Sequence, residues 1–322
     1  MTRREGLAIA AVLAWLGLPA PTVAQPPAPP AATPPRWQID AVVGLAGLAP
    51  EDLNARVDCD TAWLEYLRPA NVAQEHEGTL DGIDGAIPVS MRVVRRLGRH
   101  WSVGAGFSYL SSRVESSASA SYRYTVIDPK AQEYRRTFDQ SLEVGPLAME
   151  VREYLPHAVA SYEIALGSRL RIGALVTAGL AVTDVELRRS SVARGGFYVT
   201  DRRTDLEMTG HGNGFAADAM LSARFALAGR VALLAEGGFA WHEVSNVTGT
   251  LDSTTRIQDG EATEVEREVV SRVEGRWVNQ PASVQGASGT WNGTVPSIGT
   301  QGSPFGLSLS GWQVRAGVSF GF

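Results

Sequence analysis

Gly311-Trp-Gln-Val-Arg-Ala-Gly-Val-Ser-Phe-Gly-Phe322, written GWQVRAGVSFGF, carries an apolar side chain at every second position: Trp312, Val314, Ala316, Val318, Phe320 and Phe322. Residues i and i+2 of an extended strand share a face, so these six form one apolar stripe, opposite a face of Gln313, Arg315, Gly317, Ser319 and Gly321. A half-buried strand of a soluble sheet reads the same way. The rest of the chain has to decide between the two.

Moving outward from this segment, the alternation recurs seven times. Trp37 to Leu45, Ile87 to Val93, Trp101 to Tyr109, Ala158 to Leu166, Leu170 to Val182, Phe215 to Leu227 and Val231 to Trp241 each hold an apolar residue at alternate positions. With the C-terminal segment they predict eight amphipathic strands.

The connections between them are lopsided. Leu97-Gly-Arg-His100, Gly167-Ser-Arg169 and Ala228-Gly-Arg230 are tight glycine-containing turns, whereas 49–84, 115–156, 184–212 and 243–305 are long. A soluble up-and-down sheet has no reason to gather its short turns at one end, but outer-membrane barrels do. The aromatics follow the same polarity. Trp37, Trp101, Phe225, Phe320 and Phe322 stand at the short-turn end of their stripes, and Tyr109, Phe215, Phe239, Trp241 and Trp312 toward the long-loop end. Two aromatic girdles around an aliphatic zone describe a bilayer.

Composition is that of an ordinary soluble protein, which does not exclude a membrane barrel, because strands with one polar face average out to neutral hydropathy. The 322 residues are 44% hydrophobic with a net charge of −5, and no internal run of about 20 apolar residues predicts a spanning helix. The mild acidity argues against nucleic acid, whose phosphates call for a basic surface. Arg3 and Arg4, the apolar stretch Leu7 to Leu18 and the small residues Thr22-Val-Ala24 predict a secretory signal over 1–24. A proline-rich periplasmic tether follows over 25–36, and the barrel domain covers 37–322. Cys59 is the only cysteine, so it can form no internal disulfide and is expected in a loop; no metal site or cofactor has a candidate.

In its signal segment, eight alternating strands, one-sided short turns and terminal Val318, Phe320 and Phe322, the chain resembles the bacterial eight-stranded outer-membrane barrels. That group includes the OmpA membrane domain and the opacity and Ail/OmpX-type surface proteins. The resemblance implies an all-β, transmembrane, antiparallel up-and-down barrel in the outer membrane. It implies contact with outer-membrane lipid and lipopolysaccharide, and long loops free to meet host or surface ligands. It also implies that Trp312, Val318, Phe320 and Phe322 form the signal read by the barrel assembly machinery.

Ten strands remain the alternative to eight. Leu147, Met149 and Val151 also alternate, with an apparent slip of phase before Ala158; the stretch is read as the upper part of a long fourth strand with a bulge at Pro156, or else as an extra hairpin. Ser116 to Val126 could pair with that stretch around a turn at Asp128-Pro-Lys130. The last long connection is expected to begin as an extended hairpin and continue as a mobile Gly/Ser/Thr-rich segment.

The inward positions place Asp40, Glu163, Asp218 and Glu236 against Arg92, Arg171, Arg224 and Arg315 in one narrow lumen. Counting residues from the turns puts Glu236, Arg315 and Arg92 at one depth, so a Glu236–Arg315 pair with Arg92 beside it is expected to close the barrel. Catalytic signals are sparse: His211 and His242 stand near the long-loop end, without an elbow, zinc or phosphate-loop motif. Gly210-His-Gly-Asn-Gly214 is read as a flexible entry to a strand. A non-enzymatic surface protein is therefore the expected function. A small channel and a lipid-modifying enzyme are the alternatives.

Overall fold

The computed structural model describes residues 36–66, 74–127, 135–195, 200–259, 265, 267–286 and 289–322. The signal, all of the tether but Arg36, and the turn at 128–130 lie outside these residues. In chain order the elements are β1 (Trp37–Gly47), α1 (Glu51–Tyr66), β2 (Gln74–Thr79), β3 (Gly85–Leu97), β4 (Trp101–Ile127), β5 (Arg135–Ala165) and β6 (Leu170–Gly195). There follow β7 (Thr200–Ala228), β8 (Val231–Asp259), β9 (Arg267–Gly286), β10 (Gly289–Ile298), the two-residue β11 (Ser303–Pro304) and β12 (Leu307–Ser308), and β13 (Gly311–Gly321).

Eight strands, all antiparallel to their neighbours, close a hydrogen-bonded ring in the order β8-β13-β1-β3-β4-β5-β6-β7, with β7 returning to β8. It is not a regular barrel, because β1 and β13 have 11 residues each and β5 has 31. Strands β4 to β8 continue past the ring, where β2 extends the sheet beside β4 and β9 and β10 extend it beside β8. The three tight turns need a backbone that glycine adopts readily, with φ of 80° at Gly98, 99° at Gly167 and 53° at Gly229.

Several expectations are revised. The stretch 49–84 is not only a connection: it holds α1, nucleated at Pro50, whose carbonyl accepts from Leu53 and Asn54 N–H. Cys59 lies on this helix, not in a loop, and burial pushes its thiol pKa up. Strand β5 passes through Pro156 without a register change, for Tyr154 pairs with Val182 and His157 with Gly179. The irregularities fall between Val144 and Leu147 on β5 and between Ser116 and Ala118 on β4, around Gly145-Pro146. Ser116 to Ile127 pairs with 135–147, while Leu147 to Leu155 pairs with 108–116. Gly210 to Gly214 lies inside β7 at a register shift, not at a strand entry. In the last connection the Gly/Ser/Thr-rich segment is strand β10 hydrogen-bonded to β9, not a loose tail.

The apparent slip at Pro156 has a different cause: the phase is constant and the chemistry changes faces. Odd positions of β5 point inward throughout 147–163, as Leu147, Met149, Val151, Glu153, Leu155, His157, Val159 and Glu163. Even positions point outward, apolar from Tyr154 to Ile164 and charged at Arg152 and Glu150. The same exchange occurs on β6, whose exposed Ile172, Val176 and Leu180 give way to buried Val185 and Leu187. At the short-turn end the ring is therefore apolar outside and polar inside; beyond it, the extension is apolar inside and polar outside.

Candidate functional site

The interior of the ring holds two tiers of buried charge. In the tier nearer the short turns, Asp40 accepts from Arg92 Nε at 3.1 Å and from Arg224 Nη2 at 3.2 Å. Glu163 faces Arg96 at 3.0 Å, Arg224 at 3.1 Å and Arg171 at 3.8 Å. Glu236 takes both terminal nitrogens of Arg92, one at 3.1 Å and the other closer. Arg224 also donates to Ser319. Four guanidinium groups thus meet three carboxylates. Buried charge is tolerable only when paired, and the planar arginine fork can serve two carboxylates at once. The space left among them is about 10 Å³, room for no more than one water.

In the second tier, Asp218 accepts from Arg315 Nη2 at 2.8 Å and lies 2.9 Å from His242 Nε2. The other ring nitrogen of His242 is 2.6 Å from Glu153, at an angle outside hydrogen-bond geometry, so that contact is electrostatic. Arg315 also donates to Gln313. Four ring strands, β5, β7, β8 and β13, each supply a member.

Above the second tier the interior turns apolar. Leu142, Val144, Leu147, Met149, Val151, Leu187, Met208 and Trp277 pack with Leu53, Val57 and Leu64 of α1, all buried. The helix is fastened by Asn54, which bonds to both backbone groups of Ile83, and by Asp60, which pairs with Arg56 and Arg189 at 2.8 Å. Burial and the nearby Arg56 charge push the Arg189 pKa down, and Asp60 offsets this only in part. Outside, the extension carries exposed ion pairs such as Arg123–Asp139, Arg188–Glu207 and Arg256–Glu268.

Of the eight lumen residues expected from sequence, the ring interior brings together Asp40, Arg92, Glu163, Asp218, Arg224, Glu236 and Arg315, all buried or nearly so; Arg171 is at its edge, 29% exposed. Their pairing differs from the expectation. Arg315 and Glu236 are register partners, yet Glu236 binds Arg92 and Arg315 turns to Asp218. Arg96, Glu153, His157 and Gln313 were missed. Glu153 and His157 are in phase with Glu163, and only the assumed slip at Pro156 hid them.

The outer apolar residues of the ring share its outward face. Trp37, Trp101, Phe215, Phe225, Phe239, Trp241, Trp312, Phe320 and Phe322 are exposed, while Tyr109 and Val318 are half-buried on the same face. Trp101 packs edge-on against Tyr162, and Phe239 packs at a tilt against Trp241. The two histidines do not converge: His242 is buried inside, and His211 is exposed outside beside Asp184 at 2.8 Å. Neither a family model nor a curated protein matches this chain.

Proposed function

We propose that the protein is an integral outer-membrane surface protein whose ring crosses the bilayer with a closed lumen and whose extension stands outside the cell as an interaction platform. The observation that carries this reading is the exchange of apolar faces at one level. A sheet that hides polar groups and displays Leu45, Leu180 and Leu221 at 63%, 67% and 73% exposure is inside out for water. From Tyr154 to Ile164 the apolar outer face of β5 runs roughly 34 Å, about 25 Å of height at a tilt of ~40°. That is the thickness of the apolar band of outer-membrane barrels.

The paired charges, with about 10 Å³ left among those of the first tier, and the apolar core above them favour a structural or binding role over a channel. The extension, with polar outer surfaces on rigid strands, is the part that would meet ligands or lipopolysaccharide, and the assembly machinery is the partner during insertion.

Fractionation of expressing cells should place the protein in the outer membrane, and the unboiled protein should migrate differently from the boiled one on SDS gels. Recovery as soluble periplasmic protein with no such shift would overturn the reading. Reconstituted in planar bilayers, it should remain electrically silent.

A further inference from the structure

The short-turn end of the ring carries a collar of arginines. The residues immediately before β1, β4, β6 and β8 are Arg36, His100, Arg169 and Arg230. Each gives its carbonyl to a backbone N–H of the adjoining strand, of Arg96, Glu163, Ala226 and Gly321 respectively, all at 2.8 Å. These four bonds form the last rung of the ring ladder, and β1, β4, β6 and β8 are every second strand around it. A basic residue therefore stands at each quarter of the circumference, with Arg99 next to His100 and Arg95 on the outer face of β3.

Among the described residues, no carboxylate reaches Arg36, Arg95, Arg99, Arg169 or Arg230, all of which are exposed. The acidic side chains nearest this end, Asp40 and Glu163, are buried inside the ring and already engaged. The far rim of the apolar belt is built otherwise. There Arg113 meets Glu115, Arg152 meets Glu150, and Arg188 meets Glu186 and Glu207. Of the two rims of the apolar belt, the short-turn one holds the arginines without an ion pair among the described residues; Arg194, Arg202 and Arg267, also exposed, stand farther out on the extension.

Directly beside the collar are exposed Trp37, Leu97, Trp101, Leu166, Phe225 and Phe320. Arg95 stacks over Trp37 with 5.6 Å to the ring centroid. Guanidinium groups one rung beyond an apolar, aromatic belt stand at headgroup depth, where their fork matches the oxygens of a phosphate. We propose that this collar binds anionic phospholipid headgroups of the leaflet at the short-turn end, a site that rests on the membrane reading above and adds a lipid preference to it.

The test is electron paramagnetic resonance of the full chain in phosphatidylcholine bilayers, comparing spin-labelled phosphatidylglycerol with spin-labelled phosphatidylcholine. The fraction of each label immobilised at the protein gives the selectivity. Parent protein should favour the anionic label by at least about threefold at low salt, as basic residues at a membrane surface do. The variant carrying Arg36→Gln, Arg99→Gln, Arg169→Gln and Arg230→Gln should fall to near parity while keeping its heat-dependent gel shift, and the four Arg→Lys exchanges should keep most of the preference. If the glutamine variant does not close, the Arg169→Gln/Arg230→Gln pair should lose an intermediate share.

A parent without anionic preference, or a preference unchanged in these variants, overturns the collar and leaves the membrane reading intact. Loss of binding to isolated peptidoglycan sacculi in the variant, with no change in lipid selectivity, would assign the charges to the cell-wall polymer and also overturn it. Failure of the parent to insert into either bilayer would remove the membrane reading itself and the collar with it.

Discussion

Arg92 shows how a single side chain fixes the lumen. It spans Asp40, its cross-strand partner on β1, and Glu236 on β8, so one guanidinium ties strands on both sides of β13. Removing a partner strands a buried charge, and Glu236→Ala should destabilise the ring by about 3–5 kcal/mol in reversible unfolding from detergent. A double-mutant cycle separates this geometry from the one expected by counting residues. Arg92 and Glu236 should couple by about 1–3 kcal/mol, and Arg315 and Glu236 by less than ~0.5 kcal/mol although they are register partners. Comparable coupling in both cycles would mean that the charges share a solvated lumen. Depth along each strand was readable from sequence because the turns set the count. Partner choice was not, because a long arginine can pass its register neighbour to reach a carboxylate two rungs away.

Among the elements, the strands behave as two materials joined end to end, and substitution should reveal the join. Leu221 on β7 is 73% exposed and Val270 on β9 is 70% exposed, so area alone predicts equal tolerance to arginine. If the first faces lipid and the second water, Leu221→Arg should cost about 2–4 kcal/mol and Val270→Arg within ~0.5 kcal/mol, measured by unfolding in lipid vesicles. Equal costs would place both in one solvent. The helix belongs to the extension. Replacing 50–82 by a short Gly/Ser linker should leave the heat-dependent gel shift intact, because α1 packs on the extension and not on the two charge tiers. It should also make the extension protease-sensitive, since Leu147, Met149 and Trp277 lose their cover.

The eight ring strands were legible because alternation and turn glycines are local signals. Helix α1 was not: its apolar residues Leu53, Val57, Ala62 and Leu64 are spread among charges, and its hold on the structure is tertiary, through Asn54 and Asp60. The upper part of β5 was legible as the continuation of one long strand, but the reach of β6, β7 and β8 was hidden for a related reason. A strand whose apolar residues change faces midway looks, to a period-two reading, like two strands out of phase.

For the whole molecule, the account is of a ring that is inside out for water, continuous with an extension that is built like a soluble protein. Both halves share the same strands, so one strand can report on both. A nitroxide scan of β5 from residue 147 to residue 164, in a Cys59→Ser background and reconstituted in bilayers, measures access to oxygen from lipid and to a nickel chelate from water at each position. The account predicts oxygen access peaking at the even positions 154–164 with the odd positions shielded, and chelate access at the even positions 148–152. Chelate access at the even positions along the entire strand would contradict it and leave a soluble sheet with an exposed apolar belt.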